Sequence, residues 1–526
     1  MHPGTSLRAA LVGLPFDPTY RYLLAPACLK AYSDAQPAVA ARWRIRLHHG
    51  RAGDDPRRLA RAVLEGRPDL VGVSVYVWNA EAVGRLLAEL RRLAPSLTLV
   101  VGGPEAGPQA ESLLAAWPAL DLVCTGEGEA AFAELLERLA DGSGAAGCPG
   151  FVRRTAGGAA REAARPLIAD LSTVPSPLLA GLLPVESGDS LVLETTRGCP
   201  FRCKFCDWQN GQAFRHFPLE RAFAEARWLL ARLSSFFVFY ADADPFMDAE
   251  RGTALARGLA AASVGRTCRF NFQTYLPRVP DAAFDAMNSE RFSLAAGVES
   301  VNKAALKAMS RFFHEGKMSE AVSRMRKRAP RARLQIQLIY GVPDDDLAGF
   351  RASLSWALHK GPDTLFLPHA LALPGAEFGR RPADFGIVCE PAPPHRVLRA
   401  GSWSPEDLEA ACGLALRVST LRSERFCGPV LDRLARAAGG DPLPVWEEAA
   451  RRLDGEAVGF GLGRDIARAS ALERAFCRFS WDPDQAYEGR MAVLAVLERH
   501  ARDTLEAAGR MDSLPALERM LAAQRA

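Results

Sequence analysis

Short apolar runs alternate with amphipathic stretches along the first 145 residues. The runs at residues 9–14, 70–76, 97–101 and 120–125 have the length and apolar content of buried strands, and residues 44–48 predict a weaker edge strand. Between the runs, apolar side chains recur at helical spacing. Strands that are apolar at nearly every position are typical of parallel sheets covered by helices on both faces. The pattern predicts an α/β domain over residues 1–145, with a doubly wound, Rossmann-like sheet.

A second alternating region follows a segment rich in glycine, alanine and proline. That segment, residues 146–189, is predicted to be a linker. Residues 190–380 then contain about six strand-like runs separated by helical segments, which is fewer than the eight units of a complete (β/α) barrel. Residues 381–526 are helical in pattern, and we predict a C-terminal helical domain that caps the barrel and shapes the substrate pocket.

Composition narrows the classes of partner. A chain of 526 residues, 48% hydrophobic and 24% charged, is typical of a globular protein with two or three domains. The net charge of +4 is small for this length and argues against a nucleic-acid partner. Without an 18-residue apolar run or a secretion signal, we expect no membrane partner and a cytoplasmic location. No heptad or interface stripe stands out, so we expect a monomer.

Three of the eleven cysteines lie together in the sequence TTRGCPFRCKFCDWQNG, residues 195–211. Cys199, Cys203 and Cys206 are separated by three and then two residues. A glycine before the first cysteine and a proline after it favour a tight loop. One loop with this spacing can present three thiolates to an iron–sulfur cube and leave one iron open to a substrate. The alternative is a zinc site or buried free cysteines, but zinc usually takes two spaced ligand pairs, and no second CxxC pair exists.

The CxxxCxxC motif at the end of a strand resembles the signature of the radical S-adenosylmethionine (SAM) enzymes. The resemblance implies a [4Fe–4S] cluster whose open iron binds SAM, and an electron donor of flavodoxin or ferredoxin type. It also implies an open barrel of six βα units for residues 190–380. SAM-binding residues are then expected after the last cysteine and at the strand ends: Trp208, Asp242, Gln273, Glu299, Ser300, Tyr340 and Gly341.

The strand ends of the first domain resemble the cobalamin-binding domain that precedes many radical SAM cores. Such sheets bind ligands beyond the carboxyl ends of their strands, where glycines let the backbone approach closely. A dinucleotide site is the alternative, but no GxGxxG opens the first helix. The resemblance implies cobalamin contacts from the loops after successive strands: Pro15, Phe16, Ser74, Tyr76, Val77, Trp78, Asn79, Gly102, Gly103, Pro104, Glu105, Gly126 and Glu127.

One departure from the cobalamin-binding pattern concerns the lower face of cobalt. Corrinoid domains that ligate cobalt carry Asp-x-His-x-x-Gly after the first strand, whereas residues 13–20 here are GLPFDPTY, without a histidine. We therefore expect no protein ligand below the cobalt, with Trp78 as the residue that covers this face. The alternative is that Trp78 is a core aromatic at a strand end.

Taken together, the motifs resemble the cobalamin-dependent radical SAM enzymes. The resemblance implies a C-methyltransferase that uses methylcobalamin and a 5′-deoxyadenosyl radical to methylate an unactivated carbon. The expected substrate is a small-molecule or peptide natural product, of carbapenem or other β-lactam type or of peptide type. Two alternatives stay open: a ring contraction or cyclisation that uses both cofactors without methyl transfer, and a non-catalytic corrinoid carrier or sensor. No catalytic residue is expected beyond the cofactor ligands.

Overall fold

The computed structural model describes residues 6–17, 19–208, 212–423, 427–455 and 486–525. The N-terminal region forms one seven-stranded sheet in the order β2-β1-β3-β4-β5-β6-β7. Its first five strands are parallel, and β6 and β7 extend one edge in antiparallel fashion. The strands are β1 (Leu7–Gly13), β2 (Trp43–His49), β3 (Leu70–Ser74), β4 (Thr98–Gly102), β5 (Leu122–Cys124), β6 (Phe151–Thr155) and β7 (Gly158–Arg161).

Helices cover both faces of this sheet, which confirms the predicted doubly wound fold. Two separate apolar cores flank the strands, one beneath α3, α4 and α5 and the other beneath α1, α2 and α6. This burial explains why β3 is apolar or small throughout, since every residue of it is buried. The helices are α1 (Leu24–Asp34), α2 (Pro37–Arg42), α3 (Pro56–Leu64), α4 (Ala80–Leu93), α5 (Ala110–Ala116) and α6 (Gly128–Asp141).

A second sheet of six parallel strands forms the open barrel, in the order β15-β14-β13-β12-β11-β8. Strands β8 and β15 are its two edges, so the barrel does not close. A separate antiparallel pair, β9 and β10, precedes α7. The strands are β8 (Ser190–Leu193), β9 (Thr196–Arg197), β10 (Arg215–His216), β11 (Ser235–Tyr240), β12 (Thr267–Thr274), β13 (Phe292–Glu299), β14 (Arg333–Leu338) and β15 (Thr364–Phe366).

Successive side chains along the barrel strands point alternately toward the surrounding helices and toward the barrel interior. Phe270 and Phe272 on β12, for example, lie in the large core shared with the helices. The helices of this region are α7 (Leu219–Arg232), α8 (Ala249–Ala262), α9 (Asp281–Ala286), α10 (Lys303–Ala308), α11 (Glu315–Arg328), α12 (Leu347–His359) and α13 (Glu377–Arg380).

The C-terminal region combines a small hairpin with helices. Among the described residues, every helix is too short or too polar to cross a bilayer. Residues 456–485, which belong to the predicted helical domain, lie outside the described residues. The boundaries at residues 145, 190 and 380 stay predictions; the first sheet reaches Arg161, inside the predicted linker. The elements are β16 (Ile387–Cys389), β17 (Val397–Ala400), α14 (Pro405–Ser423), α15 (Cys427–Ala438), α16 (Leu443–Gly455), α17 (Ala486–Ala507) and α18 (Leu514–Arg525).

Candidate cofactor site

The three cysteines lie in the loop that connects β9 to β10. Arg197 and Arg215 pair across this short antiparallel ladder, so the ends of the loop are held together. The loop begins at Gly198, whose φ is +93°. A Cβ at Gly198 would lie 2.0 Å from the carbonyl oxygen of Ala213, so only glycine fits here. The sequence predicted this tight turn, and we call residues 196–216 the cysteine hairpin; its residues 209–211 lie outside the described part of the chain.

The three thiols are enclosed by protein. Cys203 is buried, and Cys199 and Cys206 are half-buried. Burial raises the pKa of all three thiols, that of Cys206 to about 12. Several N–H groups point at sulfur, among them the Trp208 amide, which donates to Cys206 Sγ over 3.3 Å, and Arg311 Nη1, which donates to Cys203 Sγ over 3.9 Å. Donors of this kind stabilise thiolates and tune iron–sulfur clusters.

Asp242, which follows β11, ties the start of the cysteine hairpin to the barrel. Its Oδ1 accepts the backbone N–H groups of Thr195 and Thr196 over 2.7 and 2.8 Å, and its Oδ2 accepts the hydroxyl of Thr195. The side chain is fully buried, and burial raises the pKa of its carboxyl to about 6 against these hydrogen bonds. This geometry assigns Asp242 to positioning the hairpin, whereas its direct contact with SAM stays a prediction.

Glu299 and Arg311 form a buried pair next to Cys203. Glu299 ends β13 at an irregularity of the ladder, with a φ of +68°. Its Oε1 lies 3.3 Å from Arg311 Nη2, which also donates to the carbonyl of Gly297 over 2.8 Å. Burial raises the pKa of Glu299 although Arg311 opposes that shift. Strained backbone at a non-glycine residue is common at functional sites. Glu299 was predicted to bind SAM. Arg311 was not predicted as a site residue, and the only sequence signal for it is its position shortly after β13.

Ser300 points away from the barrel interior. It is 1% exposed, and its hydroxyl donates to Asp345 Oδ2 over 3.0 Å and lies 3.3 Å from the hydroxyl of Ser353 on α12. Asn302 joins the same network through Asp345 Oδ1. These contacts assign Ser300 to packing α12 against the strand end, and its predicted contact with SAM stays untested.

The other predicted SAM residues lie at the carboxyl ends of the barrel strands or in the cysteine hairpin. Gln273 is half-buried on β12. Tyr340 is fully buried, with its ring 4.8 Å from that of His369. Gly341 has a φ of +82°, and a Cβ there would lie 2.9 Å from Leu408 Cδ2. Trp208 is 40% exposed, and its ring lies 6.0 Å from the ring of Phe239 inside the barrel.

The predicted cobalamin residues line the carboxyl edge of the first sheet. Asn79 organises this edge, because its amide donates to the carbonyls of Leu14 and Ser74 and accepts the N–H of Tyr76. The ends of β1 and β3 are therefore held together by one side chain. Beside it, the rings of Tyr76 and Trp78 stack with centroids 4.4 Å apart and planes 10° apart. The indole Nε1 of Trp78 is buried without a hydrogen-bond partner among the described residues.

Glycine backbone completes this edge at β4 and β5. Gly103 has a φ of +113°, and a Cβ there would lie 2.5 Å from the carbonyl oxygen of Val75. Gly126 has a φ of +83°, and a Cβ there would meet no described atom within 4 Å. The turn at Gly103 is therefore closed by protein, whereas the backbone at Gly126 faces open space. The remaining predicted residues at this edge are Pro15, Phe16, Val77, Gly102 and Pro104.

The carboxylate of Glu105 contacts the C-terminal region. It is 2% exposed, and its Oε1 lies 2.9 Å from His395 Nε2 and accepts the side-chain amide of Gln109 over 2.7 Å. Burial alone would lower the pKa of His395, but the hydrogen bonds and charges of Glu105 and Glu390 together outweigh burial and raise that pKa. Glu105 therefore ties the first domain to the segment between β16 and β17, and a cobalamin contact through its side chain stays a prediction.

Glu127 contacts the cysteine hairpin. Its Oε1 lies 2.8 Å from Arg215 Nη2 and 3.7 Å from Arg197 Nη1. Arg197 Nη2 also lies 2.7 Å from Glu129 and 2.9 Å from Glu194. We call Glu127, Glu129, Glu194, Arg197 and Arg215 the interdomain ion cluster. It joins the turn after β5 to both strands of the hairpin that carries the cysteines, and no motif or periodicity indicated it.

Family comparisons agree with both halves of the site. Residues 36–136 match the B12 binding domain family, and residues 193–354 match the Radical SAM superfamily. The chain belongs to the cobalamin-dependent radical SAM family. The resemblance that the cysteine motif and the strand ends carried is thereby confirmed, and the family's cofactors are a [4Fe–4S] cluster, SAM and cobalamin.

Curated relatives and a solved structure agree with this assignment. The 2-(S-pantetheinyl)-carbapenam-3-carboxylate methyltransferase of Streptantibioticus cattleyicolor is 31% identical over 277 residues, 50% of this chain and 39% of that protein. The cobalamin-dependent radical SAM methyltransferase TokK of Streptomyces tokunonensis is 28% identical over 325 residues, 58% of this chain and 46% of that protein. The chain thus aligns with less than half the length of either relative.

This chain is similar in fold to the radical SAM methyltransferase TsrM from Kitasatospora setae, whose structure has cobalamin and a [4Fe–4S] cluster bound. Its TM-score is 0.59 at 16% identity, over 96% of this chain and 100% of that chain. At that identity the likeness concerns the fold alone, and it agrees with the predicted fold class.

The cysteine hairpin fits the iron–sulfur cluster of the radical SAM family. Among the described residues, no group of three His, Cys, Asp or Glu side chains converges on a single metal ion. Three thiolates on one loop would hold a four-iron cube by ligating three of its irons. A zinc site usually takes four ligands in two spaced pairs, and the sequence has no second CxxC pair.

The carboxyl edge of the B12-binding domain fits cobalamin. A corrin is a large, flat ring with amide side chains, and it needs planar apolar contacts together with hydrogen-bond donors and acceptors. The stacked rings of Tyr76 and Trp78 supply a planar surface, and the indole N–H of Trp78 is a buried donor that no described residue uses. The open backbone at Gly126 supplies close approach.

Proposed function

We propose that this chain is a cobalamin-dependent radical SAM methyltransferase that methylates an unactivated carbon of a small natural product. The observation that carries the proposal is the meeting of three regions. A Cβ at Gly375, which lies after the barrel, would be 2.9 Å from the Cβ of Asp207 and 3.3 Å from Cγ of Pro108. Asp207 follows the last cysteine, and Pro108 belongs to the B12-binding domain. This contact supports chemistry in which both cofactors serve one substrate.

The barrel interior supports a neutral, polar substrate. When bound, the cofactors supply a carbon-centred radical and a transferable methyl group. The chain's own contribution is to place the substrate and exclude water. Asn271 and Gln273 on β12 and Gln335 and Gln337 on β14 alternate with core residues and so face the interior toward the carboxyl ends of the strands. Arg269 and Arg333 share that face nearer the amino ends.

The interior amides are partly linked already. Gln337 donates to Gln335, and Gln335 donates to the hydroxyl of Thr364, each over 3.3 Å. The amide of Gln273 makes no hydrogen bond to any described residue, which leaves its donors and acceptor for a ligand. Uncharged amides complement amide or lactam groups of a substrate better than they do a lone ionic group. This lining supports a substrate of carbapenam, other β-lactam or peptide type.

Isotope-labelled SAM tests the proposal. The holoprotein, reduced by a flavodoxin system without oxygen, is incubated with trideuteromethyl-SAM and a carbapenam or peptide substrate, and the products are analysed by mass spectrometry. We expect product heavier by one labelled methyl group, together with 5′-deoxyadenosine. Formation of 5′-deoxyadenosine with rearranged, unlabelled product would instead indicate ring contraction or cyclisation. Absence of both products across the substrate panel would indicate a carrier or sensor. A parallel reaction with unlabelled SAM is the control.

We also propose that Trp78 covers the lower face of cobalt and that no protein nitrogen ligates it. The stacked position of Trp78 and its unused indole N–H at the carboxyl edge support this role. The EPR spectrum of bound cob(II)alamin is therefore expected to lack nitrogen superhyperfine splitting. The histidines that could instead ligate cobalt are His48 and His49, at the end of β2. A splitting that disappears in His49→Ala would contradict the proposal.

A further inference from the structure

The turn after β5 lies between the cobalamin edge of the first sheet and the cysteine hairpin. The backbone at Gly126 faces open space at the cobalamin edge, with a φ of +83° and no described atom within 4 Å of a Cβ placed there. The next side chain, Glu127, turns toward the cysteine hairpin instead. One residue thus offers backbone to the predicted corrin site, and its neighbour holds the hairpin that carries the cluster ligands.

The contact between Glu127 and the hairpin is specific and enclosed. Glu127 Oε2 accepts the N–H of Ile168 over 2.9 Å and lies 3.0 Å from Arg215 Nη1, which donates to the carbonyl of Ile168 over 2.6 Å. The side chains of Glu127 and Arg215 are only 14% and 9% exposed. Burial would raise the pKa of Glu127, but the hydrogen bonds from Arg215 and Ile168, together with the charges of Arg197 and Arg215, outweigh burial and lower that pKa. The pair is therefore ionic at neutral pH and fixed by hydrogen bonds on several sides.

Arg197 gives the hairpin a second attachment on its other strand. Its side chain is 7% exposed, it lies between Glu129 and Glu194, and its guanidinium packs 5.4 Å from the ring centre of Phe217. Because β9 and β10 are each only two residues long, the ladder alone holds the hairpin weakly. Two buried ion pairs on adjacent strands therefore define the position and tilt of the hairpin.

We propose that Glu127 and Arg215, supported by Arg197 and Glu129, are positioning residues that set the separation of the iron–sulfur cluster from the corrin. This inference rests on the proposed function, because it takes both cofactors to be bound at the sites described above. Glu127 was predicted as a cobalamin contact, but its carboxylate is held by the N–H of Ile168 and by Arg215, so in this proposal the side chain acts on the hairpin. These residues act by fixing the cysteine hairpin to the turn whose backbone faces the corrin site.

Spin relaxation measures this separation in the loaded protein. A reduced [4Fe–4S] cluster speeds the electron-spin relaxation of cob(II)alamin, and the effect falls steeply with distance. We expect Glu127→Gln, which removes the charge, and Glu127→Asp, which keeps the charge and shortens the reach, to hold full iron and cobalamin. Both variants should change the relaxation enhancement severalfold relative to the unaltered protein.

A matched control lies in the C-terminal helices. Arg422 and Asp432 form an ion pair of similar burial, 6% and 14% exposed, far along the chain from both cofactor sites. Asp432→Asn should leave the relaxation enhancement unchanged. If Glu127→Gln does not fold, Arg215→Lys takes its place, because lysine keeps the charge but cannot bridge Glu127 and Ile168 together.

Two results would overturn the inference. One is a Glu127→Gln protein with both cofactors and unaltered relaxation. The other is a Glu127→Gln protein that keeps its cluster but loses cobalamin, which would make Glu127 a direct cobalamin contact. Failure of the proposed function is a separate result, because unaltered protein that binds both cofactors but transfers no labelled methyl would leave the relaxation comparison intact.

Discussion

Replacing Cys203 with alanine is expected to abolish SAM cleavage. Cys203 is the buried member of the three thiols, and two remaining thiolates cannot hold a four-iron cube. Loss of even an outer-shell partner typically costs about 10–100-fold in metal affinity, so loss of a ligand should cost more than about 100-fold. Anaerobic reconstitution should give protein with little iron and with 5′-deoxyadenosine formation at background.

The rest of the molecule should tolerate this change. Arg311, which donates to Cys203 Sγ, keeps its pair with Glu299 and its hydrogen bond to Gly297, so no buried charge is left alone. The cobalamin spectrum of Cys203→Ala should persist, since that site lies on another sheet. Cys389→Ala removes a half-buried cysteine on β16 and is the matched control, with unaltered iron and SAM cleavage. Normal SAM cleavage by Cys203→Ala would contradict the assignment of the cluster.

Replacing Asp242 with alanine is expected to be the most damaging change outside the cysteines. It leaves three buried donors without an acceptor: the N–H groups of Thr195 and Thr196 and the hydroxyl of Thr195. Each such loss costs about 1–3 kcal/mol, so we expect the free energy of unfolding to fall by about 3 kcal/mol or more. Cluster loading should fall with it, because these threonines lead directly into the cysteine hairpin. Urea titration and iron analysis measure both effects.

Asparagine at the same position is the informative comparison. Its carbonyl can accept both N–H groups, and its NH2 can donate to the threonine hydroxyl, so Asp242→Asn should keep most of the stability and the cluster. Burial raises the pKa of Asp242 to about 6 from an ordinary 3.8, so the folded state binds this proton more tightly than the unfolded state. The stability from this group is therefore full below about pH 4 and is lost as the pH rises through about 6. This loss of stability with rising pH should be absent in Asp242→Asn. Equal pH dependence of the free energy of unfolding in Asp242→Asn and in the unaltered protein would contradict this assignment to Asp242.

The fold and the tight loop that carries the cysteines were predictable because their signals are local. The cysteine spacing and the glycine before it occupy a few consecutive residues, and buried parallel strands leave apolar runs that stand out in the chain. The open barrel and the doubly wound sheet follow from how these runs alternate with helical segments. The cobalamin edge was predictable for the same reason, since strand ends in such sheets gather at one side.

Side-chain direction and distant pairing were not predictable. Asp242 and Ser300 stand at strand ends as expected, but their hydrogen bonds turn them into the protein. The pairs that fix the domains join Glu127 to Arg215 across 88 residues and Glu105 to His395 across 290 residues. A pair at such a separation leaves no periodicity or motif in the sequence, so only the folded chain shows it.

The contact between His395 and Glu105 bears on how this protein can be cut and recombined. A chain shortened after the barrel would keep Cys199, Cys203 and Cys206 and every strand of the two large sheets. Glu105 would then stay enclosed, with the amide of Gln109 as its partner and without His395. If the C-terminal parts of two relatives are exchanged, Glu105 likewise loses its contact with His395 unless the new C-terminal part supplies another cation for the carboxylate. Engineered hybrids should therefore exchange the C-terminal part together with the N-terminal domain that carries Glu105.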